Sequence, residues 1–302
     1  MRLFIKKLLS TESEITRRST LKGFSAFLIQ IALFNYLNYL PFTHRITSII
    51  NINKKGINKR ERSAQDIIDR FMGETLTYDI NFLWFKNAAE GVISFREENG
   101  EYIARLEAET KGFIGWLTTY RKYVFSAYLY PVENKRGLRS RIFERHAIIR
   151  DNEEKVITYL DHDNNLMSWR VFKSGVLVKI GSEPIPEDVV YYDVLSAFYN
   201  FRNGFYGDIE KGREYVVTTI PQKGESKITI RVATDEEEKR KRKDGEGRRG
   251  DVMVIVNVPK EIFESKTGEV KIWLSESIIP IEATVKDYIG FGDVTGYLKD
   301  GL

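Results

Sequence analysis

Hydrophobic and polar residues alternate along most of the chain. Leu76, Tyr78, Ile80, Phe82 and Trp84 are separated by Thr77, Asp79 and Asn81, the two-residue period of a strand with one buried face. Tyr102, Ala104, Leu106 and Ala108 repeat the pattern against Glu101, Arg105, Glu107 and Glu109, and so do Tyr123, Phe125, Ala127 and Leu129. Further strand-like runs cover 141–149, 155–160, 168–172, 214–220, 227–233, 252–258, 270–274 and 279–285. Turn residues punctuate them, among them Glu98-Asn99-Gly100, Asp151-Asn152 and Lys266-Thr267-Gly268. Short strands at such spacing predict a largely antiparallel sheet.

Two segments change the period. Ser63 stands before Ala64, Ile67, Ile68 and Phe71 as the cap of a short helix, and Val189, Tyr192, Leu195, Ala197, Phe198 and Tyr199 recur at helical spacing within 188–202. Asn203-Gly204 ends that second segment. The expected fold is mainly β: a large curved antiparallel sheet, half-barrel-like, with one or two covering helices, plus an N-terminal hydrophobic helix.

That last helix is set apart by hydropathy and charge. Residues 23–41 carry no charge and, as a helix, would measure about 28 Å, close to a hydrocarbon core of about 30 Å. Just before them, Thr16, Arg17, Arg18, Leu21 and Lys22 match the twin-arginine export signal, with Thr20 where Phe is usual. An ordinary signal anchor whose basic flank follows the positive-inside bias fits the same residues. Both place the body outside the cytoplasm. No Ala-x-Ala pair follows Pro41, so an uncleaved anchor stands beside a removed signal. The expected location is periplasmic, soluble or tethered to the inner membrane, with the twin-arginine or general export machinery as the first partner.

Charge sharpens the division into regions. The formal net charge of +4 lies entirely within residues 1–22, and the remainder is neutral. A neutral body lacks the concentrated basic face of a dedicated nucleic-acid binder, so none is expected as a partner. The regions are then 1–22, a basic n-region; 23–44, signal or anchor helix; 45–69, basic linker and short helix; and 70–298, an exported β-rich domain. Arg45, Lys54, Lys55, Lys59, Arg60 and Arg62 form a solvated linker or lie on anionic headgroups. Residues 235–250, with acidic and basic blocks and three glycines, read as a charged mobile loop.

Candidate chemistry is sparse. With no cysteine, thiolate metal sites, disulfides and Cys nucleophiles are excluded. His162 between Asp161 and Asp163 lacks the glycine and distal Glu of a calcium loop and reads as a turn. His146 and Glu144 share a strand face as a candidate acid–base pair or a plain polar pair. No nucleophile elbow or phosphate loop appears, no metal or cofactor is expected, and Asp161, Asp163 and Glu144 are the carboxylates an enzyme would use. The aromatics offer more. Trp84, Phe95, Trp116, Tyr123 and Trp169, with Leu195, Phe198 and Tyr199 of the helix, form a candidate apolar pocket for a lipid or an acylated protein.

The blocks Gly73-Glu74-Thr75-Leu76-Thr77-Tyr78, Trp84 followed by Ala88-Ala89-Glu90-Gly91, and the stretch from Asp193 to Arg202, Asp-Val-Leu-Ser-Ala-Phe-Tyr-Asn-Phe-Arg, carry a resemblance, with Trp273-Leu274-Ser275, Ile279-Pro280-Ile281 and Gly290-Phe291-Gly292 closing it. They resemble the bacterial exported family labelled domain of unknown function 3108 over about residues 70–298. The resemblance implies an envelope location and a β-rich fold and transfers no catalytic residue. The charged insertion at 235–250 departs from the family pattern. The fold so implied is similar, at a distance, to periplasmic lipoprotein carriers, an analogy of fold only. The expected function is a non-enzymatic envelope protein that binds an apolar ligand, or alternatively an assembly factor that docks partners through sheet edges.

Overall fold

A computed structural model of the chain describes residues 66–82, 85–222, 225–247, 250–288 and 292–299. The export signal, the apolar segment, most of the linker and Ser63 lie outside these residues.

Every expected strand forms, and three more join them. In chain order they are β1 (Thr75–Phe82), β2 (Phe85–Glu98), β3 (Glu101–Thr110), β4 (Arg121–Val132), β5 (Gly137–Ile149), β6 (Asn152–Asp161) and β7 (Leu166–Lys173). Then come β8 (Val176–Pro184), β9 (Glu214–Gln222), β10 (Glu225–Val232), β11 (Val252–Asn257), β12 (Glu269–Leu274), β13 (Pro280–Tyr288) and β14 (Gly292–Leu298). All fourteen belong to one sheet. From β1 the chain steps outward strand by strand to β8; from β9 it steps back to β14, which pairs with β1. The sheet curves but does not close, and its edges are β8 and β9.

The chain fills the concave side itself. Helix α1 (Ile67–Phe71) is capped by Asp66, whose carboxylate accepts from Ile68 N at 3.0 Å, and buries Ile67 and Phe71. Helix α2 (Gly112–Leu117) bridges β3 and β4. Helix α3 (Val194–Arg202) starts at Asp193, which accepts from Leu195 N and Ser196 N, and packs on β3, β4 and β5. The segment 188–193 is therefore extended approach rather than helix, and Tyr192 makes a parallel bridge to Thr219 that covers part of the β9 edge. Asn200 reads the Leu138 backbone at both its N–H and its C=O, at 2.7 and 2.9 Å. The core joins Phe95, Phe125, Ala127, Leu129 and Leu138 of the first arm to Val217, Ile230, Val254 and Leu274 of the second.

Arg202 ties these parts together. It is 3 % exposed, makes a bidentate pair with Glu74 at 2.7 Å for both bonds, and donates from Nε to Ile278 O at 2.9 Å. Its guanidinium lies 4.6 Å from the Phe71 ring centre and 5.0 Å from that of Phe198. One side chain thereby joins α1, α3, the start of β1 and the turn before β13.

Residues 235–250 correct the expectation of a mobile loop. Asp235–Lys243 form helix α4, opened by a reciprocal capping box in which Thr234 Oγ1 accepts from Glu237 N and Glu237 accepts from Thr234 N. Acidic residues fill its first turn and basic residues its last, which suits the helix dipole. Glu237 also pairs with Arg231 at 2.7 and 3.0 Å; those bonds and the Thr234 N–H pull its carboxyl down to about 2. Glu238 is buried, accepting from Met253 N at 2.7 Å and bonding Lys211. Arg242 lies 4.6 Å over Trp273, which Gly247 and Gly250 approach so closely that a Cβ at Gly247 would lie 2.1 Å from the ring. The insertion thus covers the outer face of β11 and β12, where Met253 and Trp273 are 1 % exposed.

Candidate functional site

The expected pocket residues divide into separate environments. Phe95, Leu195 and Tyr199 are packed in the core, with the Phe95 and Tyr199 rings 5.1 Å apart, and Phe198 is half-buried against Tyr199. This centre is filled. Trp84 and the side chain of Trp116 lie outside the described residues, as do Arg17, Arg18, Leu21 and Lys22.

Tyr123 belongs to a polar cluster instead. Its hydroxyl donates to Glu264 Oε1 at 3.1 Å, Tyr288 donates to Glu264 Oε2 at 3.3 Å, and Arg121 stands 3.6 Å from the same carboxylate. Burial, with Glu264 adding to it against Arg121, pushes the Tyr123 phenol up to about 12; burial also raises Tyr288 well above the ordinary value. Both phenols stay neutral donors. They fasten the segment between β11 and β12 into the mouth of the half-barrel, where Phe263 reaches within 6.5 Å of Phe125.

The candidate acid–base pair is not formed. His146 Nε2 lies 2.7 Å from Glu153, and Glu144 pairs with Lys155 of β6 at 2.9 Å. Asp161 accepts from the Asn164 backbone and side chain, which folds the 161–165 turn, and His162 Nε2 meets Ser140 O at 3.1 Å. Burial lowers the His162 pKa. These groups serve turns and cross-strand pairs and converge on no common point.

Trp169 leads to the open part of the sheet. Its ring crosses to Gly181 of β8, where a Cβ would lie 2.3 Å away. Ala127, Phe143, Thr158, Trp169 and Gly181 are directly opposed in successive strands, forming one row on the concave face. The next row, two residues along, is Phe125, Arg145, Val156, Val171 and Lys179. Along it burial fades from Phe125, which is 8 % exposed, through half-buried Arg145, Val156 and Val171 to exposed Lys179. The filled core therefore opens toward β8 as an apolar trough with a guanidinium at its inner end. At its rim, β8 exposes Val176 (64 %) and Ile180 (65 %), along with Leu177 and Val178.

Sequence reasoning named Trp169 but missed Arg145, Val156, Val171 and all of β8. The alternation of β5 and β6 already puts Arg145 on the face of Phe143 and Val156 on that of Leu160. What it withholds is the register that lines them up. Among the described residues, no helix is long and apolar enough to cross a membrane.

No curated protein matches the sequence. A solved β-barrel-like protein of a domain of unknown function, DUF1849, from Brucella abortus is similar at 12 % identity, with a TM-score of 0.40, over 74 % of this chain and 94 % of that one. The model of the family described as protein of unknown function (DUF3108) matches residues 77–299, well over half of the sequence, and the chain belongs to that family.

Proposed function

We propose that this protein is a non-enzymatic binding protein of the bacterial cell envelope, and that it takes an apolar ligand, a lipid or an acylated protein, in the trough of β5 to β8 rather than at its packed centre. The observation that supports this is the burial gradient along Phe125, Arg145, Val156, Val171 and Lys179. A closed barrel would bury those valines on all sides, whereas here they line an open wall beside Trp169. Apolar side chains on an open concave wall gain about 25 cal/mol for each Å² a ligand removes from water. The test is native mass spectrometry of the purified full-length chain together with titration of a fluorescent acyl probe. Probe binding that is lost in Val171→Asp is expected; absence of both copurified lipid and probe uptake sinks the proposal.

A second reading is favoured by one observation of its own. Strand β8 is an edge strand with apolar residues exposed from Val176 to Ile180, and an extended segment of another protein could add to it by backbone pairing. Lys179 and the bulge between Val171 and Phe172 are common protections of such an edge. Site-specific photocrosslinking from position 178 in cells separates the two: a reproducible protein adduct favours strand addition, a lipid adduct the trough.

A further inference from the structure

We infer that Arg145 anchors an anionic headgroup: it binds the carboxylate or phosphate oxygens of an acyl ligand whose chain runs over Val156 and Val171 toward the β8 margin. This rests on the ligand-binding proposal above and adds the ligand's charge and direction.

Arg145 sits in β5 between Phe125 and Val156, its nearest neighbours across the ladder on each side, and both are apolar. Among the described residues no carboxylate lies within ion-pair distance of it. Glu154 is engaged by Lys173 at 3.6 Å, and with Glu261 it attracts Arg145 only from further away. Burial pulls the guanidinium below its ordinary value against the pull of those two acids, the mark of a cation short of counter-charge. Two other arginines turned into the fold are answered: Arg202 by Glu74, and Arg121 by Glu264. A half-buried guanidinium without a partner carries a desolvation penalty that an anion relieves, and its planar fork suits two oxygens of one headgroup.

The geometry supplies the rest. From Arg145 to Lys179 the row crosses three strand spacings, about 14 Å at about 4.8 Å each, which accommodates an extended acyl chain. The two residues between them are valines, and Trp169 flanks them in the adjacent row. Lys179 at the exposed end adds a second positive charge, so the trough attracts an anion at its mouth and holds it at its base. The headgroup therefore points inward and the chain outward.

The experiment titrates the purified full-length chain with oleate, oleoyl lysophosphatidylglycerol and uncharged oleyl alcohol, each against wild type, Arg145→Met and Arg145→Lys. Wild type is expected to bind at least one anionic probe ten-fold or more tighter than the alcohol. Preference for oleate alone assigns the head as a carboxylate, and preference for the lysolipid alone as a phosphodiester; both support the anchor. Arg145→Met is expected to erase the preference while leaving alcohol affinity within two-fold, and Arg145→Lys to keep part of it. Equal binding of all three by wild type, or an unchanged preference in Arg145→Met, overturns the anchor and leaves the trough standing. Failure of every probe to bind overturns both. If Arg145→Met does not fold, a preference undiminished in Arg145→Lys and insensitive to salt between low and physiological ionic strength overturns the anchor equally.

Discussion

Removing Glu74 should destabilise the domain more than removing Arg202, although the two share the same hydrogen bonds. Arg202 is 3 % exposed and enclosed by Phe71, Phe198 and Tyr199, so Glu74→Ala strands a guanidinium that cannot reach water. Breaking a buried pair from one side costs about 3–5 kcal/mol. The Glu74 side chain is 17 % exposed, so Arg202→Met leaves a carboxylate that can turn toward solvent, while the methionine keeps the aliphatic and aromatic contacts; that change should cost about 2–3 kcal/mol. In the double variant neither charge is left uncompensated, and its cost should fall short of the sum of the singles by about 2 kcal/mol. For a domain of this size each kcal/mol corresponds to roughly 2–4 °C in Tm, so Glu74→Ala should melt about 6–20 °C below wild type. Urea unfolding followed by tryptophan emission and by far-ultraviolet circular dichroism gives all three numbers. The reasoning is refuted if Arg202→Met proves the costlier single change, or if the two add within about 0.5 kcal/mol.

Other expectations follow from single contacts. Thr234→Ala should cost about 1 kcal/mol and speed amide exchange within 235–243, because it removes the acceptor for Glu237 N. Glu237 is held at about 2 in the folded state, below its ordinary value, so its stabilisation is complete above the ordinary carboxylate range and declines as pH falls toward 2; Glu237→Gln should flatten that acid limb of a Tm-against-pH curve. Asp193 runs the opposite way. Burial raises its pKa, so the penalty for its charge is absent at low pH and grows as pH rises through the folded value; Asp193→Asn, an equally good cap, should match wild type at pH 3 and equal or exceed its Tm at pH 7. Gly247→Ala should cost about 2–4 kcal/mol, since the backbone there has φ +63° and the new methyl meets Trp273; equilibrium unfolding measures it. Ile180→Lys, at a position 65 % exposed, should leave Tm within about 1 °C.

Much of this architecture is written in the alternation of side chains. Leu76 to Phe82, Glu101 to Thr110 and the runs that follow announce strands because each has one face in the core. The three strands not anticipated lack that contrast. Strand β8 exposes both faces, so Val176-Leu177-Val178-Lys179-Ile180 shows no period of two; β2 is interrupted by Asn87 and Gly91; β14 carries two glycines in seven residues. Helix α4 was hidden by composition, since nothing in Asp-Glu-Glu-Glu-Lys-Arg-Lys-Arg-Lys forms an apolar face. Its start was nonetheless legible: Thr234 three residues before Glu237 is a capping-box signature. The stabilising contacts of Glu238 with Met253 N and of Arg242 with Trp273 are tertiary and leave no local mark. The trough was illegible for a related reason. Parity along each strand fixes which residues share a face, but a row across five strands depends on four registers, each set by turns and bulges such as those at Tyr128/Leu129 and Val171/Phe172.

The order of the strands also governs how the chain can assemble. Among the described residues, every ladder except one joins neighbours in sequence, so each arm can grow by successive hairpins. The exception, Tyr78 opposite Leu298 and its companions, closes nearly the whole domain in a single pairing. Loop closure over that span carries the largest entropic cost in the sheet, which makes docking of the two arms a late and slow event during refolding. A circular permutant that links the ends near Tyr78 and Leu298 and opens the chain between β8 and α3 would turn that distant closure into a local hairpin. Its refolding should accelerate while the native sheet is retained.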